Sequence, residues 1–132
     1  MAFIDNRIQV KTALKEAGVA WLYEACGELE AQTKRNSKVV TGKTKGSYSY
    51  AVDEDKLEGA VGSNYDNAIW EEFGTGEYAL NGDGRKGGWF YVDERGQGHF
   101  TRGKKPKRPM FKAFSALKKA LQSRAEEIFR GL

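Results

Sequence analysis

Nine of the sixteen glycines fall between positions 74 and 103. Glycine loses the most backbone freedom on folding and weakens helices and strands alike, so this stretch is expected to be loop-rich and mobile in isolation. Surface loops of this kind carry much of the contact chemistry of small proteins, which makes it a natural place for partner contacts. The regular elements that close a core must come mainly from the segments that flank it.

Both flanks are patterned. Over positions 4–35, Ile4, Ile8, Leu14, Ala17, Trp21, Leu22, Ala25 and Leu29 recur at spacings of three and four, which predicts an amphipathic helix. Asp5 or Asn6 could cap its start, and Gly18 is expected to kink or split it, since glycine inside a helix costs about 1 kcal/mol against alanine. Over positions 109–131, Pro109 suits a first helical turn, and Met110, Phe114, Leu117, Leu121, Ala125 and Ile128 form a second stripe before Gly131.

Between the helices the period changes. Within positions 39–62, Tyr48, Tyr50 and Val52 alternate with Ser47, Ser49 and Ala51, and Leu57 and Val61 bracket a second short strand. Positions 63–76 read as a turn or short helix. Positions 77–108 read as a loop holding one hairpin, with Trp89-Phe90-Tyr91-Val92 and His99-Phe100-Thr101 joined through a turn rich in Asp and Gly. The expected fold class is α+β: one domain over positions 1–132, with a long N-terminal helix and a C-terminal helix packed on a small, mainly antiparallel sheet with a long glycine-rich loop.

Composition narrows the function classes. With 132 residues, 39% hydrophobic and 30% charged, the chain suits one globular core and leaves no room for a large multi-domain enzyme. The lone Cys26 and lone His99 cannot make an internal disulfide or a His/Cys zinc set, so a reducing compartment and no metal or other cofactor are expected. No apolar run is long enough to cross a bilayer, and the first residues lack the form of a signal peptide, so a soluble protein made for the cytoplasm is expected.

Several catalytic patterns come close and fail. Ser37-Lys38-Val39-Val40-Thr41-Gly42-Lys43-Thr44 is one residue from a phosphate-binding loop, but it follows a helix and leads into a strand, the reverse of what that loop requires. Gly74-Thr75-Gly76-Glu77-Tyr78-Ala79 matches a dinucleotide fingerprint without the preceding buried strand. Glu71 and Glu72 are adjacent, so they point differently and do not converge as an acid–base pair. One is expected to be solvated and the other in an ion pair or at an interface. His99 near Asp93 and Glu94 reads as a surface histidine beside a turn, and Cys26 as packed core. No catalytic residue is assigned.

The net charge of +4 is concentrated. Lys34, Arg35, Lys38, Lys43 and Lys45 form one basic segment, and Arg102, Lys104, Lys105, Lys107 and Arg108 form a second. They could neutralise phosphates along a duplex without reading its sequence, or be solvated loops. A DNA-binding protein that reads no sequence is therefore an alternative function.

The segment Val61-Gly62-Ser63-Asn64-Tyr65-Asp66-Asn67-Ala68-Ile69-Trp70-Glu71-Glu72-Phe73-Gly74-Thr75-Gly76 resembles the signature of a tailed-phage morphogenesis family, the head–tail joining or tail-completion proteins of lambda-like siphophages. The likeness extends in order through a Thr-Gly turn, strands, E-F-G-T-G, an aromatic-bearing loop and Arg108-Pro109-Met110-Phe111 opening the last helix. Relatives tend to place a leucine and then a serine after the Thr-Gly turn. This chain has Thr41-Gly42-Lys43-Thr44-Lys45-Gly46-Ser47, which keeps only the serine. The resemblance implies a non-enzymatic virion subunit of the neck or tail, present in the host bacterial cytoplasm during assembly. It also implies a self-associated ring, a hexamer being one such closure, that meets tail tube or tail terminator and head–tail connector proteins, with transient contact to DNA in the channel and none to membrane.

On that reading, the partner surface would comprise Trp70, Glu71, Glu72, Phe73, Gly74, Thr75, Gly76, Trp89, Phe90, Tyr91, Pro109, Met110 and Phe111. The two basic segments would face the DNA. The glycines of the motif would permit a tight turn or the close approach of another chain, and Trp70 and Phe73 could instead be core.

Overall fold

The computed structural model describes residues 7–37 and 43–132, without the side chains of Arg7 and Ile8. The expected cap at Asp5 or Asn6, Lys38, the Val39-Val40 start of the strand region and the Thr41-Gly42 turn lie outside the described residues. The remainder is α+β. In chain order it has helix α1 (Arg7–Asn36), a four-residue helix α2 (Lys43–Gly46), strands β1 (Tyr48–Asp53) and β2 (Glu58–Ser63), and helix α3 (Asp66–Phe73). A 3₁₀ turn (Gly76–Tyr78), strands β3 (Trp89–Val92) and β4 (Gly98–Thr101), and helix α4 (Pro109–Arg130) complete it.

The two long helices run antiparallel and form the frame. Asn36 at the end of α1 donates through Nδ2 to the Pro109 carbonyl at the start of α4 (3.1 Å), and Trp21 Nε1 donates to the Leu121 carbonyl (2.9 Å). Arg124 reaches Glu24 and makes a two-pronged contact with Glu28 (2.9 and 3.2 Å). Small residues hold the contact surfaces: Ala25, Cys26, Ala68 and Ala113 are buried together with Tyr48 and Leu121. Short side chains let backbones approach, and close packing then supplies the dispersion contacts.

Gly18 does not split α1, which runs unbroken through it. A β-carbon at that position would lie 3.5 Å from Leu57 Cδ2 and 3.8 Å from Phe129 Cζ, so Gly18 marks where the β1–β2 turn and the last turn of α4 meet α1. The turns of α1 before it overhang the end of α4. That is why Leu14, expected in the core stripe, is 41% exposed. The stripe of α4 is also rotated from expectation. Ala113 is fully buried and Phe114 half exposed, because the face that meets α1 is centred on Ala113, Leu117 and Leu121.

The single expected sheet is two separate two-stranded ribbons. β1 and β2 pair antiparallel from Tyr48↔Ser63 to Asp53↔Glu58 and lie against α1. Their turn is organised by Asp53, whose Oδ1 accepts from the amides of Asp55 (3.1 Å) and Lys56 (3.0 Å). β3 and β4 pair from Trp89↔Thr101 to Val92↔Gly98 and pack chiefly on each other. Each ribbon closes locally, and the glycine-rich chain between them supplies no strand to join them.

Candidate interaction surface

The E-F-G-T-G segment builds on α3. Ser63 Oγ accepts from the Tyr65 amide (3.0 Å) and pairs with Ser47 Oγ (2.5 Å), which fixes where the helix starts, and Asn67 Nδ2 donates to Thr44 Oγ1 (2.8 Å). The helix is amphipathic in an unusual sense. It buries Ala68, Glu71 and Glu72 and turns Ile69, Trp70 and Phe73 outward, at 52%, 49% and 41% exposure. Trp70 and Phe73 are therefore not core.

Neither glutamate is solvated, contrary to the expectation for one of them. Glu71 Oε1 forms an ion pair with Lys104, and its backbone carbonyl accepts from the amides of Lys107 (2.8 Å) and Arg108 (3.2 Å). Glu72 Oε1 accepts from the amides of Met110 (2.8 Å) and Phe111 (3.2 Å) in the first turn of α4. Arg108, the residue at the cap position of α4, offers no side-chain cap. A carboxylate brought from α3 thus satisfies the orphan donors of α4 and complements the positive end of its dipole. Arg108 itself is left-handed (φ 56°, ψ 52°), with its guanidinium over the Phe111 ring, 3.8 Å from the centroid.

After α3 the chain crosses itself. The Thr75 amide donates to the Lys104 carbonyl (2.9 Å), the Lys104 amide to Thr75 Oγ1 (2.9 Å), and the Glu77 amide to the Arg102 carbonyl (2.9 Å). Gly76 (φ 61°) and Gly103 (φ 123°) face each other at this crossing, where any β-carbon would overlap the opposing backbone. The close approach expected of another chain is made instead by residues 102–106 of the same chain. Glu71, Glu72, Gly76 and Pro109 are consequently covered internally and leave the proposed partner surface. Gly74, Thr75 and Met110 are half-buried, with Thr75 and Met110 tied into these same bonds.

What remains outward is aromatic. Phe111 and Phe114 on α4 are about as exposed as the α3 residues, and Leu80 joins them in sequence just after the motif. On the β3–β4 ribbon Phe90 is 82% exposed and packs against Phe100 with ring centroids 5.0 Å apart. Tyr91 stacks on His99 on the other face, and Arg85 sits over the half-buried Trp89 ring. His99 Nε2 bonds Asp93 Oδ2 at 2.7 Å, and Asp93 Oδ1 accepts from the amides of Arg95 and Gln97. The bond from His99, with the turn amides, holds the Asp93 carboxyl below the usual aspartate range. The sequence reading missed Ile69, Val92, Phe100 and Phe114. The cross-strand pairing of Phe90 with Phe100 was available from the hairpin register, and on α3 the outward Trp70 and Phe73 were expected at the partner surface while Ile69 beside them was not.

The basic segments are partly committed. Lys34 pairs with Glu30 (3.0 Å), Arg35 bonds Gln32, Lys104 pairs with Glu71, and Arg102 lies 3.9 Å from Glu77. Lys105 lies over the Tyr78 ring, and Lys43 and Lys45 belong to α2. Positive charge already engaged by a carboxylate releases few counterions on a phosphate backbone.

The catalytic patterns find no support in their surroundings. Ser37 follows the end of α1, and Thr44 is buried in a four-residue helix, so neither half of the phosphate-loop context is formed by the described residues. Of the G-x-G-x-x-A glycines, Gly74 ends α3 and Gly76 opens a 3₁₀ turn. Cys26 is buried and its thiol is pushed up by burial, which disfavours the thiolate. Burial likewise raises the Tyr48 hydroxyl, which lies near Ser37, Glu72 and Glu71. Among the described residues no three His, Cys, Asp or Glu side chains are grouped to hold a metal ion, and no helix is long and apolar enough to cross a membrane. Comparison with known proteins finds no match to a family model, to a curated protein or to a solved structure.

Proposed function

We propose that this chain is a structural subunit of a tailed-phage or prophage virion, a head–tail joining or tail-completion protein that acts as a self-associated ring at the neck–tail junction. The resemblance of the Val61–Gly76 segment and of the order of motifs supplies the class. The observation that carries the reading is an outward apolar surface: Ile69, Trp70, Phe73, Phe90, Val92, Phe111 and Phe114 are each at least two-fifths exposed. Patches of that kind mark interaction sites on proteins that otherwise hide them.

Co-purification tests it. Tagged chain expressed with the connector, tail tube and tail terminator proteins of its own phage or prophage should retain at least one of them. The Trp70→Ser/Phe73→Ser variant, which removes exposed rings without opening the core, should lose that partner. A wild-type chain that retains none of these components overturns the reading.

A further inference from the structure

Charge is segregated across the two-helix frame. From position 105 to 125 the chain carries seven cations and no acidic residue. At roughly 100° per residue, Phe111, Lys112, Lys118 and Lys119 fall on the side of α4 away from Ala113, Leu117 and Leu121, which meet α1, and all four are exposed. Phe114 flanks them, half exposed. Arg108 lies over the Phe111 ring and Lys118 over the Phe114 ring, 3.8 and 5.7 Å from the centroids. The carboxylates that α1 and α3 bring toward α4 are already engaged. Glu71 pairs with Lys104, Glu72 is buried on the first-turn amides, Glu24 and Glu28 hold Arg124, and Glu30 holds Lys34, while Asp66 stands at the other end of α3. This face is apolar at its two rings and positive around them.

The β1–β2 turn is its complement. Asp53, Glu54, Asp55 and Glu58 stand exposed there, against Lys56 in the turn and Lys15 of α1, whose 3.5 Å contact with Asp55 is a loose one, so an excess of negative charge remains. Leu57 is 44% exposed in that turn and is held at φ 53°, a left-handed conformation that a leucine seldom adopts. Tyr50 on β1, its ring against Tyr23, is about two-fifths exposed as well. The turn and the start of α4 lie at different levels of the frame. Leu57 reaches Gly18, whereas α4 begins beside Asn36, and α1 rises roughly 27 Å between those two residues. One chain therefore cannot fold its own turn onto the start of its own α4.

We propose that the outward face of α4 between Arg108 and Lys119 seats the β1–β2 turn of a second copy of this chain, with Leu57 against Phe111 and Phe114 and the carboxylates of Glu54, Asp55 and Glu58 facing Lys112, Lys118 and Lys119. The inference rests on the reading of the chain as a self-associating subunit and names the surfaces that join. Charge selects the occupant: two α4 faces would oppose their cations and two turns their carboxylates, whereas the mixed contact sets one sign against the other. A nucleic acid would meet the same cations, but Arg108 and Lys118 cover the ring faces on which bases stack. Leu57 and the two phenylalanines supply the desolvated centre that a protein contact needs. Because the two patches differ, the contact is head-to-tail and can propagate until rotation closes it.

Reversing each side, separately and together, tests the pairing. Lys112→Glu/Lys118→Glu/Lys119→Glu reverses the α4 face. Glu54→Lys/Asp55→Lys/Glu58→Lys reverses the turn and spares Asp53, which organises it. All the substituted side chains are exposed, and matching circular dichroism and melting temperature establish that each variant folds. Should the glutamate variant fail to fold, Lys112→Gln/Lys119→Gln replaces it, with a loss of association of about threefold or more expected and an unchanged association overturning the inference.

Light scattering at high protein concentration should show wild-type species larger than a dimer, and association about tenfold or more weaker for each triple variant alone. The chain that carries both sets of substitutions meets itself with the signs exchanged and should recover association to within about threefold of wild type. Triple variants that associate like wild type, a combined variant no stronger than either triple one, or a wild type that is monomeric at every concentration each overturn the inference. A combined variant that stays weak would assign the α4 face to some other acidic partner. A monomeric wild type that still retains a neck or tail component leaves the virion reading standing. Recovered association in a chain that retains none of those components leaves the contact standing and removes that reading.

Discussion

Gly18 and Gly59 both face side chains of a neighbouring element, and the space around them differs enough to reverse the effect of the same substitution. A β-carbon on Gly18 meets Leu57 and Phe129 at ordinary contact distance, so Gly18→Ala adds packing and removes the helix penalty of glycine. It should stabilise the protein by about 0.5–1 kcal/mol in urea denaturation. A β-carbon on Gly59 would overlap Cys26 Sγ, so Gly59→Ala forces β2 away from α1 and should destabilise by about 1–3 kcal/mol. Cys26→Ala removes the obstructing sulfur, and the double variant should be more stable than Gly59→Ala alone. An additive double variant would mean that the sulfur is not the obstacle. Glu72 sits at a third such position. Glu72→Ala leaves two amides of the first turn of α4 unpaired in a buried setting and should cost about 2–3 kcal/mol by the same measurement, with Glu72→Gln, which keeps an acceptor, losing less. Of this, residue type indicated only that one of the two glutamates would be paired. Adjacent glutamates look like solvent-facing charge until Lys104 and the start of α4, more than thirty positions away in the sequence, are brought against them.

At the scale of elements, periodicity reported what exists and burial decided how it is turned. Both long helices, the β1–β2 pair and the β3–β4 hairpin follow from spacings of three to four and of two, because an element must repeat its side-chain pattern to present one face. Rotation about a helix axis is less constrained by spacing. A bulky residue such as Phe114 looks like core, yet the contact with α1 selects Ala113 because a small side chain allows closer approach. The hairpin shows a further dependence that its sequence only hints at. Asp93 bonds His99 across the ribbon and accepts two turn amides, and its folded-state pKa is lowered by them. A carboxyl with a depressed folded pKa contributes stability that is present above the ordinary aspartate value of about 3.9 and is lost as pH falls through the depressed value. Amide and His99 resonances of the ribbon should therefore move toward coil positions as pH falls below about 4, ahead of resonances from α1 and α4. Asp93→Asn should abolish that early step. Simultaneous loss of ribbon and helices in wild type, or an unchanged early step in the variant, would assign the acid response to other groups.

For the whole molecule, order is expected to be graded because burial is. The interior is concentrated where α1, α4 and the β1–β2 ribbon meet, around Ala25, Cys26, Tyr48, Ala113 and Leu121. The β3–β4 ribbon keeps its largest side chains in solvent and is joined to that frame through the Thr75–Lys104 crossing and the Glu71–Lys104 pair. Elements with few buried apolar contacts open at a small fraction of the global unfolding free energy, so native-state hydrogen exchange should be fast for Trp89–Val92 and Gly98–Thr101 and slow for the middle of α1 and for α4 around Ala113 and Leu121. Substitution at the crossing should separate the two. Gly103→Ala places a β-carbon against the Thr75 carbonyl in a left-handed conformation, so it should accelerate exchange through the ribbon while the slowest helix amides change little. Equal protection of ribbon and helices in the wild-type chain, or equal acceleration of both by Gly103→Ala, would mean that the molecule unfolds as one unit and that the glycine-rich half is not held by the crossing alone.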